Sequence, residues 1–358
     1  MKKYLCCIII VISACGTDNI VENAPIEYIK SKQTLMLERD SSFTHDFSQV
    51  LSCVDIITVA DSVMLLYDRI VQDGNIHFYK AYSLEDYSFL GEYVAYGRGP
   101  GEFLSPDMSG EYRSEEENRV FAYIFDIMLC QSYGFDLYES IAERQIIVKK
   151  ISDWPSNILY AAPYRDSLHF IMDIEKDRLL CHLANSRSVK LQSYNLYNED
   201  VSAERSLSQL SNCVNINHEK GIVALAMIGI PQINFLNLRD GRIHSVAVDR
   251  QYRNWRKLIS AAYNMKLLLD SKEYYTNTVS TSEYVIALYT DMTIGDIINR
   301  TGWHSPHIHI FNWDGKLMYD FALSENITKL AYDKSRKMLY GLDVNESRIY
   351  RYDLADIL

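Results

Sequence analysis

Short apolar runs separated by polar turns follow one another along most of the chain. One run type, of which Val63-Met64-Leu65-Leu66-Tyr67 is an example, recurs every 48 to 63 residues. A second run follows most copies and ends in an aromatic residue, a polar residue and leucine, as in Tyr82-Ser83-Leu84 and Tyr194-Asn195-Leu196. A fixed period of this length predicts repeated units with several short strands each. The six copies begin near Val63, Val120, Leu168, Ile222, Val285 and Leu339.

A unit of about 55 residues with several strands matches one four-stranded blade of a β-propeller. A single blade cannot bury both faces of its sheet, so blades must stack around an axis. No glycine-, serine- or proline-rich linker divides the chain, which favours one domain. The sequence therefore predicts an all-β, six-bladed propeller over residues 33–358.

Two segments depart from the repeat. The last unit ends at Arg351-Tyr352-Asp353-Leu354, which leaves room for three strands in it. A strand-like run, 33–38, precedes the first unit. We predict that this N-terminal strand completes the last blade as its outer strand, which removes an exposed sheet edge. Apolar residues at helical spacing over 252–272 predict one helical insertion between the fourth and fifth units.

The N-terminus has the layout of a secretory signal. Lys2 and Lys3 precede an uncharged apolar run that is too short to cross a bilayer as a helix. Ile12-Ser13-Ala14-Cys15 resembles the lipobox of bacterial lipoproteins, which implies cleavage after residue 14 and acylation of Cys15, palmitate included. Several acyl chains anchor a protein durably. We predict a signal peptide over 1–14, lipidation of Cys15 and a tether over 15–32.

Charge limits the partners of the chain. The formal net charge is −11, and loss of Lys2 and Lys3 with the signal makes it more negative. Nucleic acid is excluded as a partner because phosphate binding needs a basic face. Gly16 follows the cysteine where, by analogy with enteric lipoproteins, aspartate favours retention in the inner membrane. We expect an outer-membrane lipoprotein on the periplasmic or the cell-surface face, with an envelope protein or glycan as partner.

A glycine-rich motif, Gly97-Arg98-Gly99-Pro100-Gly101-Glu102-Phe103, closes the first unit. Glycines permit positive φ and close approach of backbones, so the motif predicts a tight corner between blades. It is neither a dinucleotide fingerprint nor a phosphate-binding loop, because the required glycine and Gly-Lys-Ser/Thr are missing. Two roles stay open for Arg98 and Glu102: ligand-binding groups facing the channel, or an ion pair that supports the turn.

The same motif resembles the G-x-GPGEF signature of TolB-like six-bladed propeller lipoproteins from Bacteroidetes. The runs Ile308-His309-Ile310-Phe311-Asn312-Trp313-Asp314-Gly315 and Met338-Leu339-Tyr340-Gly341-Leu342 are also similar to that family. The resemblance implies the propeller fold and the lipid anchor. It supplies no reaction and no catalytic residues.

Standard catalytic patterns are missing from the sequence, which has neither a G-x-S-x-G elbow nor an H-E-x-x-H helix. His307 and His309 would face the same side of a strand, about 7 Å apart. With a carboxylate, for which Asp291 and Asp296 lie near in sequence, they would form a divalent metal site. The alternative is ordinary polar residues on the solvent face of a hairpin. No other cofactor is expected.

The four cysteines of the body, Cys53, Cys130, Cys181 and Cys213, lie in apolar stretches and lack the spacing of a zinc site. They predict buried thiols, with disulfide pairing left open. The absence of a catalytic set favours a binding or scaffolding module at the envelope. The alternative is a channel-site enzyme of lactonase or lyase type with or without a metal, and the side chains that line the channel distinguish the two.

Overall fold

The computed structural model describes residues 19–21, 24–29, 33–47, 50, 52–68, 76–114, 119–165, 167–197, 202, 210–248, 265–299 and 306–358. These residues form six mainly antiparallel sheets of three to five strands, arranged in chain order as the blades of a ring. The all-β, six-bladed propeller is confirmed. All six recurring apolar runs lie on the second strands of blades, so each run marks the same position in its blade.

In the described residues, the first three blades contain thirteen strands. Blade one consists of β3 (Cys53–Val59), β4 (Val63–Asp68), β5 (His77–Ser83), β6 (Phe89–Tyr96) and the short β7 (Glu102–Phe103). Blade two consists of β8 (Pro106–Ser114), β9 (Arg119–Asp126), β10 (Gln131–Phe135) and β11 (Val148–Asp153). Blade three consists of β12 (Ile158–Arg165), β13 (Leu168–Glu175), β14 (Arg178–Asn185) and β15 (Lys190–Asn195).

Eleven further strands are described in the remaining three blades. Blade four consists of β16 (Asn212–Asn217), β17 (Ile222–Met227), β18 (Gln232–Asn237) and β19 (Ile243–Ala247). Blade five consists of β20 (Lys272–Ser280), β21 (Tyr284–Thr293), β22 (His307–Asn312) and β23 (Leu317–Ala322). Blade six consists of β24 (Lys329–Asp333), β25 (Met338–Asp343) and β26 (Arg348–Asp353).

The core lies between neighbouring blades rather than at the axis. Second strands such as β4 and β17 are buried on both faces, which explains why they read as unbroken apolar runs. Leu65 of blade one, for example, packs in one cluster with Ile124 and Phe135 of blade two. Each large side chain buried in this way contributes about 2 kcal/mol.

The N-terminal segment adds one strand to each of two blades. Strand β1 (Ile26–Tyr28) pairs in parallel with β19, the outer strand of blade four. Ile20 and Val21 are buried in the cluster that joins blades three and four. Part of the segment predicted as a tether therefore lies against the ring.

The strand predicted to complete blade six is instead paired with blade five. Strand β2 (Leu35–Met36) runs parallel to β23, and the following Leu37 is buried between blades five and six. Asp40 then begins a turn, accepting the Ser42 N–H (2.9 Å), and also accepts from Arg351 Nε (2.9 Å). Because this turn ends the extended run, the segment 37–42 makes one backbone bond with β26, from Asp40 N–H to the Arg351 carbonyl (2.7 Å).

Three short helices occur in the described residues: α1 (Leu137–Glu143), α2 (Met265–Leu269) and α3 (Ile294–Asn299). Helix α2 falls within the predicted insertion 252–272, whose first part lies outside the described residues, and β20 begins at its end. No helix of the described part of the chain has the length and apolarity needed to span a bilayer. The four cysteines of the body are free thiols. Cys53 and Cys181 are buried as predicted, whereas Cys130 and Cys213 are only partly buried.

Candidate functional site

The glycine-rich motif forms a turn that one carboxylate holds together. Glu102 Oε2 accepts the N–H of Gly99 (2.7 Å), and Gly97 N–H donates to the Phe103 carbonyl (2.9 Å). A Cβ added at Gly97 would lie 1.9 Å from Glu102 Oε2, so a side chain at this position would displace the carboxylate that holds the turn. Arg98 is exposed beside this turn. Within the motif, Glu102 therefore supports the turn through a backbone N–H.

The corner that follows the motif leads to the ring axis. Asp126, which is fully buried at the end of β9, accepts the N–H groups of Leu104 (2.7 Å) and Ser105 (3.0 Å) through Oδ2. Its other oxygen accepts the N–H groups of Met128 and Leu129, each at 3.0 Å. This single carboxylate thus fixes the chain just before β8 begins.

The first strands of the blades surround the axis. They contact one another in succession, β8 with β12, β16 with β20, β20 with β24, and β24 with β3. Each carries an ionisable side chain near its start, and these side chains interact electrostatically with one another. We call this set the axial ring; it consists of Asp55, Asp107, Tyr160, Cys213, Glu273 and Lys329.

Lys329 is the cation of the axial ring. The negative charge of Asp55 raises its pKa, against the opposing effect of burial, and the other ring groups Cys213, Asp107 and Glu273 act in the same direction. The ring thus sets three carboxylates against one ammonium group. An excess of acidic groups around one lysine gives this end of the axis a negative potential.

The ring carboxylates are held in an environment that disfavours their charge. Desolvation by the surrounding strands, and secondly the neighbouring Asp55, raise the pKa of Asp107 to about 6, although this residue keeps an exposed surface. Burial also raises the pKa of Glu273, and Lys329 partly offsets the effect. Burial raises the pKa of the Cys213 thiol to about 11, so this thiol is neutral at pH 7. Ionisable groups with perturbed pKa values that are gathered in one place are typical of functional sites.

Hydrogen bonds between first strands hold the wall of the ring. Asn277 Oδ1 of β20 accepts the N–H of Leu330 in β24 (3.0 Å). Thr58 Oγ1 of β3 donates to the Tyr332 carbonyl (2.8 Å), and Ser109 Oγ of β8 donates to the Ala161 carbonyl (2.6 Å). Side chains from different blades are therefore kept at fixed positions around the axis.

The two histidines predicted as metal ligands are brought together with a carboxylate that the sequence did not suggest. His307 Nδ1 lies 2.7 Å from Asp320 Oδ1, and His309 Nε2 lies 3.7 Å from the same oxygen. Asp291 is instead paired with Lys272 (2.9 Å), and Asp296 accepts from Thr293 Oγ1 (2.7 Å). The strand pairing of β22 with β23 places Asp320 opposite His309.

Burial sets the charge states of this cluster. It lowers the pKa of His309 to about 4, so this imidazole is neutral at pH 7. Burial by itself raises the pKa of Asp320, but the hydrogen bond from His307 and the neighbouring His309 hold the value below its usual range. The cluster thus combines an ionised carboxylate with a neutral, buried imidazole.

Sequence reasoning did not find the axial ring, because its members are single residues about 50 positions apart and of different types. Their position in the repeat could have identified them. Each is one of the first three residues of the strand that precedes a recurring apolar run. Cys15, the predicted lipidation site, lies outside the described residues.

Comparisons with known proteins agree with the architecture. The family described as "TolB-like 6-blade propeller-like" matches residues 54–335. A member of the DUF4221 family from Bacteroides vulgatus has a similar structure, with a TM-score of 0.56 at 9% identity over 91% of this chain and 97% of that chain. A protein from Bacteroides fragilis described as exported gives 0.50 at 12% identity over 88% and 87%.

These two likenesses, at such low identity, show the fold alone. A comparison with curated proteins finds no match. The match to the family, in contrast, covers well over half of the sequence and includes strands from all six blades. The chain belongs to the TolB-like six-bladed propeller family.

Proposed function

We propose that this protein is a membrane-anchored binding module of the cell envelope that holds a small, positively charged ligand in the axial ring. The observation that carries the proposal is the convergence of charged side chains from different blades on one end of the axis. Charged side chains that converge at the axis can bind a small ligand, whereas an axis filled with apolar side chains could not. An envelope protein or glycan that presents an amino group to the channel mouth fits the same chemistry.

Charge selects the class of ligand. Asp55, Asp107 and Glu273 outnumber Lys329, so the ring offers two uncompensated carboxylates once Asp107 is ionised. Such a site attracts amines and repels carboxylates, because potentials at a binding site are complementary to those of the ligand. Low-dielectric walls around the carboxylates strengthen this preference.

Putrescine and succinate, which have the same number of carbon atoms and opposite charges, test this selectivity. We expect saturating putrescine to raise the thermal unfolding midpoint of the full chain by about 2 °C and succinate to leave it unchanged. Asp107→Asn should weaken putrescine binding at least tenfold in calorimetric titration. Because the pKa of Asp107 is about 6, binding to the wild-type protein should weaken as the pH falls from 7 to 5.

Asp314→Asn is the matched control, since Asp314 lies on an exposed turn between β22 and β23. It should bind putrescine as the wild-type protein does. The proposal fails if no amine stabilises the protein, or if Asp107→Asn and Asp314→Asn bind equally well.

The second candidate, a channel-site enzyme of lactonase or lyase type, is favoured by one observation. Asp107 has a pKa near neutrality and interacts with Lys329, which is the environment of a general base. Hydrolysis of γ-butyrolactone by the wild-type chain and not by Asp107→Asn would replace the binding function with an enzymatic one. If the wild-type chain binds putrescine and does not hydrolyse the lactone, the binding function stands.

The anchor supports an envelope location. The signal-like run 1–14 and the lipobox-like residues before Cys15 indicate an exported lipoprotein, and one structural neighbour is described as exported. Asn19 is buried and donates from Nδ2 to the Ala24 carbonyl and to Ser245 Oγ, each at 3.1 Å. Cys15 is four residues from Asn19, a separation that a chain bridges with at most about 14 Å. The edge formed by blades three and four would then lie next to the membrane.

Replacing Cys15 tests the anchor. We expect Cys15→Ser to move the protein from the membrane fraction to the soluble periplasmic fraction, because the acyl chains are its proposed membrane contact. Immunoblots of fractionated cells measure the change. Cys53→Ser, which alters a buried thiol of blade one, should leave the distribution unchanged. Retention of Cys15→Ser in the membrane would contradict lipidation at this residue.

A further inference from the structure

One end of blade five gathers two imidazoles and a carboxylate around a common point. The ligand atoms of His307, His309 and Asp320 all lie within 4.8 Å of one another. We propose that these three residues bind a divalent transition metal, with Zn²⁺ as the best fit. The site is separate from the axial ring, so its test does not depend on the proposed ligand of the channel.

The separations fit a metal centre. Ligands about 2.0–2.1 Å from a tetrahedral Zn²⁺ are about 3.3 Å from one another. The distances from Asp320 Oδ1 to His307 Nδ1 and to His309 Nε2 are 2.7 and 3.7 Å, on either side of that value. Small side-chain rotations are therefore enough to place an ion between the three groups. Two imidazoles and a carboxylate form a known donor set for zinc, with the fourth position open.

Two of the three ligands are already oriented by other side chains. Tyr275 Oη lies 3.2 Å from His309 Nδ1, which leaves His309 Nε2 facing Asp320. Thr34 Oγ1 donates to Asp320 Oδ2 (3.0 Å), which leaves Oδ1 toward the imidazoles. Partners of this kind orient metal ligands and are part of the design of metal sites. Thr34 lies just before β2, so the N-terminal segment contributes to the site.

Exposure permits entry of an ion from one side. The His309 side chain is 3% exposed and is stacked on Tyr289 with ring centroids 4.7 Å apart, whereas His307 is 34% exposed. The buried histidine is thereby held rigidly, while the exposed one can rotate toward an ion. A ligand set that is preorganised at its buried side and open at its other side suits reversible metal binding.

A second cluster, with one histidine and two carboxylates, shows a group of potential ligands whose negative charge is already balanced by a lysine. Asp173, Glu175 and His182 of blade three also lie close together. There, Lys190 Nζ contacts both carboxylates, and His182 is held by Ser193 through Nδ1 (2.7 Å) and by Asp173 through Nε2 (2.9 Å). The lysine supplies the positive charge that a metal would bring. No lysine or arginine of the described residues forms an ion pair with Asp320.

Metal binding is tested on the purified full chain in detergent after treatment with a chelator. After Zn²⁺ is added back and the excess is removed by desalting, we expect one Zn²⁺ per chain by mass spectrometry. Loading with Co²⁺ instead should give the visible absorption of tetrahedral cobalt. In competition with a chromophoric chelator, His307→Ala and Asp320→Asn should weaken Zn²⁺ binding at least a hundredfold. Thr34→Val, which removes an orienting hydrogen bond, should weaken it about tenfold.

His244→Ala is the matched control, because His244 is equally exposed, at 35%, and also lies near a carboxylate, Glu27 (3.7 Å). It should bind Zn²⁺ as the wild-type protein does. Since His307 is partly exposed, His307→Ala should fold, which thermal unfolding of the metal-free protein verifies. The proposal is overturned if the wild-type chain retains no zinc, or if His244→Ala weakens binding as much as His307→Ala.

Discussion

Replacing Lys329 by methionine is expected to destabilise the protein by about 2 kcal/mol at pH 8. The substitution leaves Asp55, Asp107 and Glu273 facing one another without a counter-charge. Removing one partner from a buried group of charges costs 3–5 kcal/mol, and access of the channel to solvent reduces that figure. Urea unfolding of the full chain at pH 8 measures the loss.

The loss should shrink as the pH falls. Asp107 has a folded pKa of about 6, above the 3.8 of an unperturbed aspartate, so the folded protein binds more protons than the unfolded chain between these values. Stability therefore falls as the pH rises through this window. Because Lys329 lowers the pKa of Asp107, its loss raises that pKa further, so the variant loses more stability on deprotonation and should lie closer to the wild type at pH 5. The pKa of Glu273, which is also raised, acts in the same direction.

Two comparisons separate charge from packing in this experiment. Lys316→Met changes an exposed lysine of blade five and should alter stability by less than about 0.5 kcal/mol. Adding Asp55→Asn to Lys329→Met should restore part of the stability, since it removes one of the repelling charges. If the double variant were less stable than Lys329→Met at pH 8, repulsion within the ring would not be the cause.

The fold was accessible from the sequence because burial imposes a regular pattern. Second strands such as β4 and β17 are covered on both faces, so each blade leaves an apolar run in the sequence. The second recurring run does not mark the same strand in every blade: Tyr82-Ser83-Leu84 ends the third strand of blade one, whereas Tyr194-Asn195-Leu196 ends the fourth strand of blade three. Hairpin ends share similar residues whichever strand precedes them.

Ring closure was less accessible, since pairing at an edge is decided by a few contacts. The run 33–38 has the composition of a strand, but composition does not specify whether its partner is β23 or β26. Burial of Leu37 between blades five and six and the turn at Asp40 decide in favour of β23. These contacts depend on residues about 280 to 310 positions away in the sequence.

Residues of the candidate sites could be predicted where they are close in sequence, but not where strand pairing brings them together. His307 and His309 were visible because they are two residues apart on one strand, whereas Asp320 joins them only through the pairing of β22 with β23. The axial ring needs six strands to meet, so its single residues carry no local motif. Long-range register is therefore the information that the sequence alone did not provide.

The chain runs from the glycine motif through Leu104 and Ser105, which Asp126 binds, into β8 and the axial ring. Asp126→Ala should destabilise the protein by about 3 kcal/mol, because it leaves the N–H groups of Leu104, Ser105, Met128 and Leu129 without their acceptor. An unsatisfied buried donor costs about 1–3 kcal/mol, and water reaches the two donors in the exposed turn. Urea and thermal unfolding measure the effect.

Asp126→Asn refines this prediction. An amide has one acceptor oxygen, so it can serve one of the two pairs of N–H groups, and we expect about half of the loss seen with alanine. Asp314→Ala, on an exposed turn, should change stability by less than about 0.5 kcal/mol. Because Leu104 and Ser105 directly precede β8, both Asp126 variants should also displace Asp107 and weaken putrescine binding. Unchanged binding in a destabilised Asp126→Ala protein would show that the corner supports the fold without positioning the ring.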